Sequence, residues 1–187
     1  MTGQKQSTTV GPAPSEETDA TPSIPTALTR VVWALWIASL GVFGVRLLAR
    51  TDAPWEVFGV LTVDGLTALL WVVVTFFSGI VHSYSRRYMA GDSGIARFFT
   101  RVFGFTAAVM VLAAADHLAL FAAAWLAMGL AMADLIGHVR GWPQAQAAAG
   151  LARRYFVGSS ALLGAGFAVL WWATGATTLS GVVAAAG

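Results

Sequence analysis

The chain has 187 residues, 57% of them apolar and 11% charged, with a net charge of +2. A soluble domain carries about a quarter charged residues, so this composition excludes a water-soluble globule and defines an integral membrane protein. The absence of cysteine excludes disulfides, thiolate metal sites and cysteine nucleophiles. The positive balance comes from arginine, with Lys5 the one lysine. In a membrane protein such an excess sets topology, and no nucleic-acid-binding pattern accompanies it.

Residues 1–29 are rich in Thr, Ser, Pro and Gly. They bury too little apolar surface to offset the entropy of ordering and predict a disordered cytoplasmic tail. The tail also lacks the basic start and apolar core of a secretory signal peptide. Residues 30–175 then predict an all-α membrane bundle of about five spans: Val31–Ala49, Gly59–Ser83, Phe98–Ala115, Leu118–Val139 and Tyr155–Ala173. Each is long enough to cross, and only helices satisfy their own backbone groups in lipid. Asp116-His117 leaves so little loop that the third and fourth spans must form an antiparallel hairpin. Trp142-Pro143 followed by Ala and Gln predicts a short surface helix before the fifth span. Residues 176–187 predict a C-terminal tail.

Arginines sort by side. Arg30, Arg86, Arg87, Arg97, Arg101, Arg140, Arg153 and Arg154 share one face, against Arg46 and Arg50 on the other. The positive-inside rule places the N-terminus and both arginine-rich loops in the cytoplasm. The protein is therefore expected to be a multi-pass protein of the plasma (cytoplasmic) membrane.

Ionisable residues inside a membrane are costly and mark functional sites by default. The ion-path candidates are Asp64, His82, Asp116, Asp134 and His138. Asp64 near a helix start is either an interfacial acid favoured by the helix dipole or an ion-entry group. His82, near the cytoplasmic end of its span, either passes protons or bonds to backbone or headgroup. Asp134 and His138 are four apart, which would share a helix face as a proton-handling pair or stay solvated. Asp116-His117 reads as a helix cap or a relay element. Arg86, Arg87, Arg153 and Arg154 read as topogenic or headgroup-binding charges, or as contacts to an acidic partner. Gly164 and Gly166 read as packing sites. No metal site, catalytic triad or nucleotide-binding loop is evident.

The ordered set Val63-Asp64-Gly65-Leu66, Thr75, His82, Tyr88-Met89-Ala90-Gly91-Asp92, Arg97-Phe98-Phe99, Phe103, Asp116 and Trp125 resembles the antiporter-like membrane subunits. These include subunit L of NADH–quinone oxidoreductase, the large Mrp antiporter subunit and the membrane subunit of the DAB inorganic-carbon transporter. The resemblance covers roughly 60–175, the N-terminal half of that family. Respiratory and Mrp relatives would carry a glutamate after Trp125, where this chain has Leu126. The segment from Asp134 through His138 and Trp142-Pro143 to Arg153-Arg154-Tyr155-Phe156 is nearer the DAB subunit. Ser159 and Leu162 depart from that pattern, where relatives have Arg and Asp.

The resemblance implies a non-enzymatic subunit of a proton- or sodium-coupled complex for inorganic-carbon uptake, acting in or supporting the cation path. It implies membrane lipid and further membrane subunits as partners. It also implies a large soluble carbonic-anhydrase-like subunit that would carry zinc, with no cofactor in this chain. A respiratory NADH–quinone oxidoreductase-like pump subunit and a non-conducting membrane anchor are the alternatives.

Overall fold

The structure, a computed structural model, describes residues 23–49 and 53–187. Five helices are long and apolar enough to cross a membrane: α1 (Ile24–Ala49), α2 (Gly65–Tyr88), α3 (Ile95–Ala114), α4 (Leu118–Ile136) and α5 (Pro143–Thr174). The protein is thus an all-α, multi-pass membrane bundle, as its composition requires. Residues 1–22 of the expected tail lie outside the described residues. From Ile24 onward the chain is already helical, seven residues ahead of the expected span. Pro25 suits that first turn because its fixed φ is helical and its missing N–H would be unpaired there anyway.

α1 packs on α2, α2 on α3, α3 on α4 and α4 on α5, and α1 also reaches α3. The bundle is therefore a triad of α1, α2 and α3 extended sideways by α4 and α5. Lipid supplies no hydrophobic drive between helices, so close approach of backbones must do the work. Gly79 lets α2 meet α1, where a Cβ would fall 3.0 Å from the Trp33 ring. Trp33 Nε1 also donates to Ser83 Oγ at 3.0 Å. Gly129 lets α4 meet α5, where a Cβ would fall 2.5 Å from Phe156. Ala114, Ala124 and Ala133 are also buried. Gly164 and Gly166 are not packing sites among the described residues, since a Cβ at either would meet none of their atoms within 4 Å.

Two expectations near α5 change. The short surface helix and the fifth span are one 32-residue helix. At 1.5 Å per residue it is about 48 Å long, more than the roughly 30 Å of hydrocarbon, so its first turns extend beyond the bilayer core. The chain after Thr174 is not a free tail: α6 (Leu179–Ala186) folds back against the α3–α4 turn.

A small hairpin joins α1 to α2, which the sequence reading did not anticipate. Strands β1 (Trp55–Val57) and β2 (Leu61–Val63) pair antiparallel with Val57 opposite Leu61. Phe58 and Gly59 both have positive φ, 57° and 66°, and Val60 N–H donates to the Val57 carbonyl at 3.3 Å. That is a primed turn, which matches the twist of the strands.

The hairpin is tied to the neighbouring turn. The N–H groups of Asp116 and His117 both donate to the Val60 carbonyl, at 3.0 and 3.2 Å. Leu118 N–H reaches the Thr177 carbonyl at 2.9 Å, and Leu179 N–H the Asp116 carbonyl at 2.7 Å. Hairpin, helical turn and α6 thus form one hydrogen-bonded cap over the end of the bundle poor in arginine.

Candidate functional site

The most enclosed polar cluster lies between α2 and α3. His82 is 1% exposed, and Thr75 and Thr106 are 0% and 2% exposed. His82 Nδ1 lies 2.8 Å from the Ser78 carbonyl. A carbonyl only accepts, so Nδ1 must carry the proton. In the neutral ring Nε2 is then a lone-pair acceptor, and it is buried and without a partner among the described residues. Ser78 Oγ lies 3.3 Å from His82 Nδ1 and 2.7 Å from Thr106 Oγ1. Thr106 Oγ1 in turn contacts the Val102 carbonyl at 2.9 Å. The Phe99 ring stands edge-on to the imidazole with centroids 5.2 Å apart. The result is an imidazole–hydroxyl–hydroxyl line in an apolar wall, continuous from Nδ1 to Thr106, with Nε2 buried at its other side.

Local sequence explains part of this geometry. Ser78 and His82 are four apart on one helix face, and Thr75 shares that face. Thr106 comes from another helix and carries no local signal. The sequence reading identified His82 and missed both hydroxyl partners.

Asp64 is the N-cap of α2, and Thr67 N–H donates to its Oδ1 at 2.7 Å. That backbone bond holds the Asp64 carboxyl below the usual carboxylate range, with Arg46 assisting. Arg46 itself is buried, donates to the Ala53 carbonyl at 2.8 Å and lies 4.9 Å above the Trp55 ring. Asp64 and His82 are 18 positions apart, about 27 Å along a helix, so they belong to opposite ends of α2.

Asp116 is a structural tie. Its Oδ1 accepts from Ser180 N–H at 2.9 Å and its Oδ2 from Ser180 Oγ at 2.6 Å. His117 is the N-cap of α4, with Nδ1 accepting from Ala119 N–H at 3.2 Å.

Asp134 and His138 do not share a helix face. α4 ends at Ile136, so His138 leaves the helical path and stacks edge-on to Phe98 at 5.2 Å. Asp134 turns to arginines instead. Its Oδ1 is 2.6 Å from Arg153 Nη2, and its Oδ2 is 3.6 Å from Arg101 Nη2. Arg153 is therefore engaged within the chain. Arg86, Arg87 and Arg154 are exposed and form no ion pair among the described residues. The five acid and imidazole candidates thus each have different partners, and of the five only His82 sits in an enclosed polar line.

Span count and the Asp64–Asp92 segment together resemble the antiporter-like membrane subunits over the N-terminal part of that family. The profile of the family described as NADH-ubiquinone oxidoreductase (complex I), chain 5 N-terminus, matches residues 58–99. NADH-quinone oxidoreductase subunit L of Rickettsia typhi is 34% identical over 103 residues, covering 55% of this chain and 15% of the relative. The probable inorganic carbon transporter subunit DabB1 of Halothiobacillus neapolitanus is 37% identical over 87 residues, covering 46% and 16%. Subunit L of Escherichia coli K12 is 38% identical over 89 residues, covering 48% and 14%. The chain therefore spans about a sixth or less of the length of these curated relatives.

Proposed function

We propose that the chain is a plasma-membrane subunit of a proton- or sodium-coupled complex for inorganic-carbon uptake, forming part of the cation path or supporting it. One coincidence carries this reading. The segment that matches the family profile, 58–99, is the segment that buries His82 against Ser78 and Phe99. A buried imidazole with one proton and one free lone pair is a group that can take a proton on one side and release it on the other.

The rest of the chain favours a supporting place in that path. α4 holds Leu126 after Trp125, and its one ionisable residue is Asp134, two positions from its end. Charges for a longer relay would come from other membrane subunits. A soluble carbonic-anhydrase-like partner would hold the zinc and perform the carbon chemistry. The second reading, a subunit of a respiratory proton pump, rests on identities to subunit L as high as those to DabB1.

Coexpression with the adjacent genes in a host that requires high carbon dioxide tests the choice. Growth in air is expected, with His82→Phe and Thr106→Val each slowing it at unchanged protein level. Asp134→Asn and His138→Ala, which lie outside the buried line, are expected to leave growth near normal. Failure to restore growth, with an NADH-driven pH gradient in vesicles instead, would transfer the chain to the respiratory class. Normal growth of both buried-line variants would make the chain an anchor.

A further inference from the structure

A cavity of about 400 Å³ opens between the cytoplasmic ends of α3, α4 and α5. Arg101, Asp134, Arg140, Gln146 and Arg153 supply its polar wall. Three guanidiniums face one carboxylate there, leaving two positive charges uncompensated. Asp134 engages Arg153 closely and Arg101 at longer range, while Arg140 has no ion-pair partner among the described residues. Gln146 donates its amide N–H groups to the Gly137 and Val139 carbonyls, at 2.8 and 3.1 Å. It thereby closes the end of α4 and fixes the cavity floor. Each guanidinium offers five donors in a fixed fork, far more than one carboxylate can take.

The depth of the cavity indicates its occupant. It lies at the last turn of α4, a 19-residue helix of membrane-spanning length. Trp142, which lies in the chain between the lining residues Arg140 and Gln146, is 57% exposed, and an exposed Trp favours the headgroup layer. Basic pockets between spans on the cytoplasmic side suit anionic headgroups, and guanidinium forks match phosphate oxygens in shape and charge.

We propose that this cavity binds the phosphate group of an anionic phospholipid of the cytoplasmic leaflet. Arg140 and Arg153 make the charge-assisted contacts, and Asp134 with Arg101 holds Arg153 in place. This inference needs only the membrane placement of the chain and stands apart from the transport reading.

The test is native mass spectrometry of the full chain in mild detergent, titrated with phosphatidylglycerol or phosphatidylcholine, with inorganic phosphate as competitor. Phosphatidylglycerol is expected to be retained in preference to phosphatidylcholine and not displaced by inorganic phosphate. Loss of one charge-assisted contact is expected to weaken it about tenfold in Arg140→Gln and in Arg153→Gln. Arg140 is exposed and forms no ion pair among the described residues, so its variant is expected to keep the fold. Arg86→Gln, on the last turn of α2, is expected to change nothing. Equal retention of both lipids, or equal weakening by Arg86→Gln, overturns the site. Displacement by inorganic phosphate at matching concentration overturns the lipid assignment and makes the soluble ion the occupant.

Discussion

At the scale of single residues, position along a helix decides what each polar group does. Asp64 and His82 sit on the same helix, yet one is a cap and the other a buried hydrogen-bonded ring. Asp64 accepts the Thr67 N–H at the start of α2, where four backbone donors lack helical partners and the dipole favours an anion. Removing the cap in Asp64→Ala is expected to cost about 1 kcal/mol. Asp64→Asn, which keeps an acceptor oxygen, is expected to cost less. The pH dependence follows from the lowered carboxyl of Asp64. A group held below its unfolded value stabilises the fold above the unfolded pKa, near 3.9 for Asp. That contribution is lost as pH falls through the folded value. The deficit of Asp64→Ala is therefore expected to be constant near neutral pH and to shrink below about pH 4. Unfolding in mixed micelles, followed by tryptophan fluorescence, measures both. A deficit that grows on acidification would contradict the cap.

At the scale of elements, the spans were legible because hydropathy over twenty residues is a strong signal. The ends were less so. Pro143 marks a helix start correctly, but between Gln144 and Tyr155 only Gly150 weakens helical propensity, by about 1 kcal/mol, too little to end a helix, so surface helix and span merge. The hairpin hides because each strand is three residues long, too short for alternation to show. Asp134 and His138 do not share a face because Gly137 caps α4 before His138, and a four-residue spacing means a shared face only while the helix lasts.

Glycine contacts between helices are equally invisible without the fold. Gly129 and Gly164 look alike in sequence, yet only Gly129 has an aromatic ring where its Cβ would be. Gly129→Ala is expected to destabilise the bundle by roughly 1–3 kcal/mol through overpacking against Phe156, whereas Gly164→Ala is expected to be neutral. Shortening the opposing ring in Gly129→Ala/Phe156→Leu should recover part of the loss. A purely additive double variant would show that α4 and α5 do not meet there.

At the scale of the whole molecule, the two ends of the bundle differ in construction. One end carries the hairpin, the α3–α4 turn and α6, knitted together by backbone hydrogen bonds. The other carries the α2–α3 and α4–α5 connections with Arg86, Arg87, Arg97 and Arg140. Arginines near short loops resist translocation, so the second end is expected in the cytoplasm. Because the chain has no native cysteine, single-cysteine variants report topology without background. Phe58 is 94% exposed at the hairpin tip and Tyr88 is 78% exposed at the end of α2, which makes them matched probes of the two faces. A membrane-impermeant maleimide is expected to label Phe58→Cys in intact cells, and Tyr88→Cys only after the membrane is opened. Phe58 also occupies a left-handed backbone position, which costs a non-glycine residue about 1–2 kcal/mol. Its variant keeps that cost and loses no buried contact, so folding should be unaffected. The reverse labelling pattern would invert the bundle, move the Arg101–Arg140–Arg153 cavity to the outer leaflet and remove the argument for its headgroup.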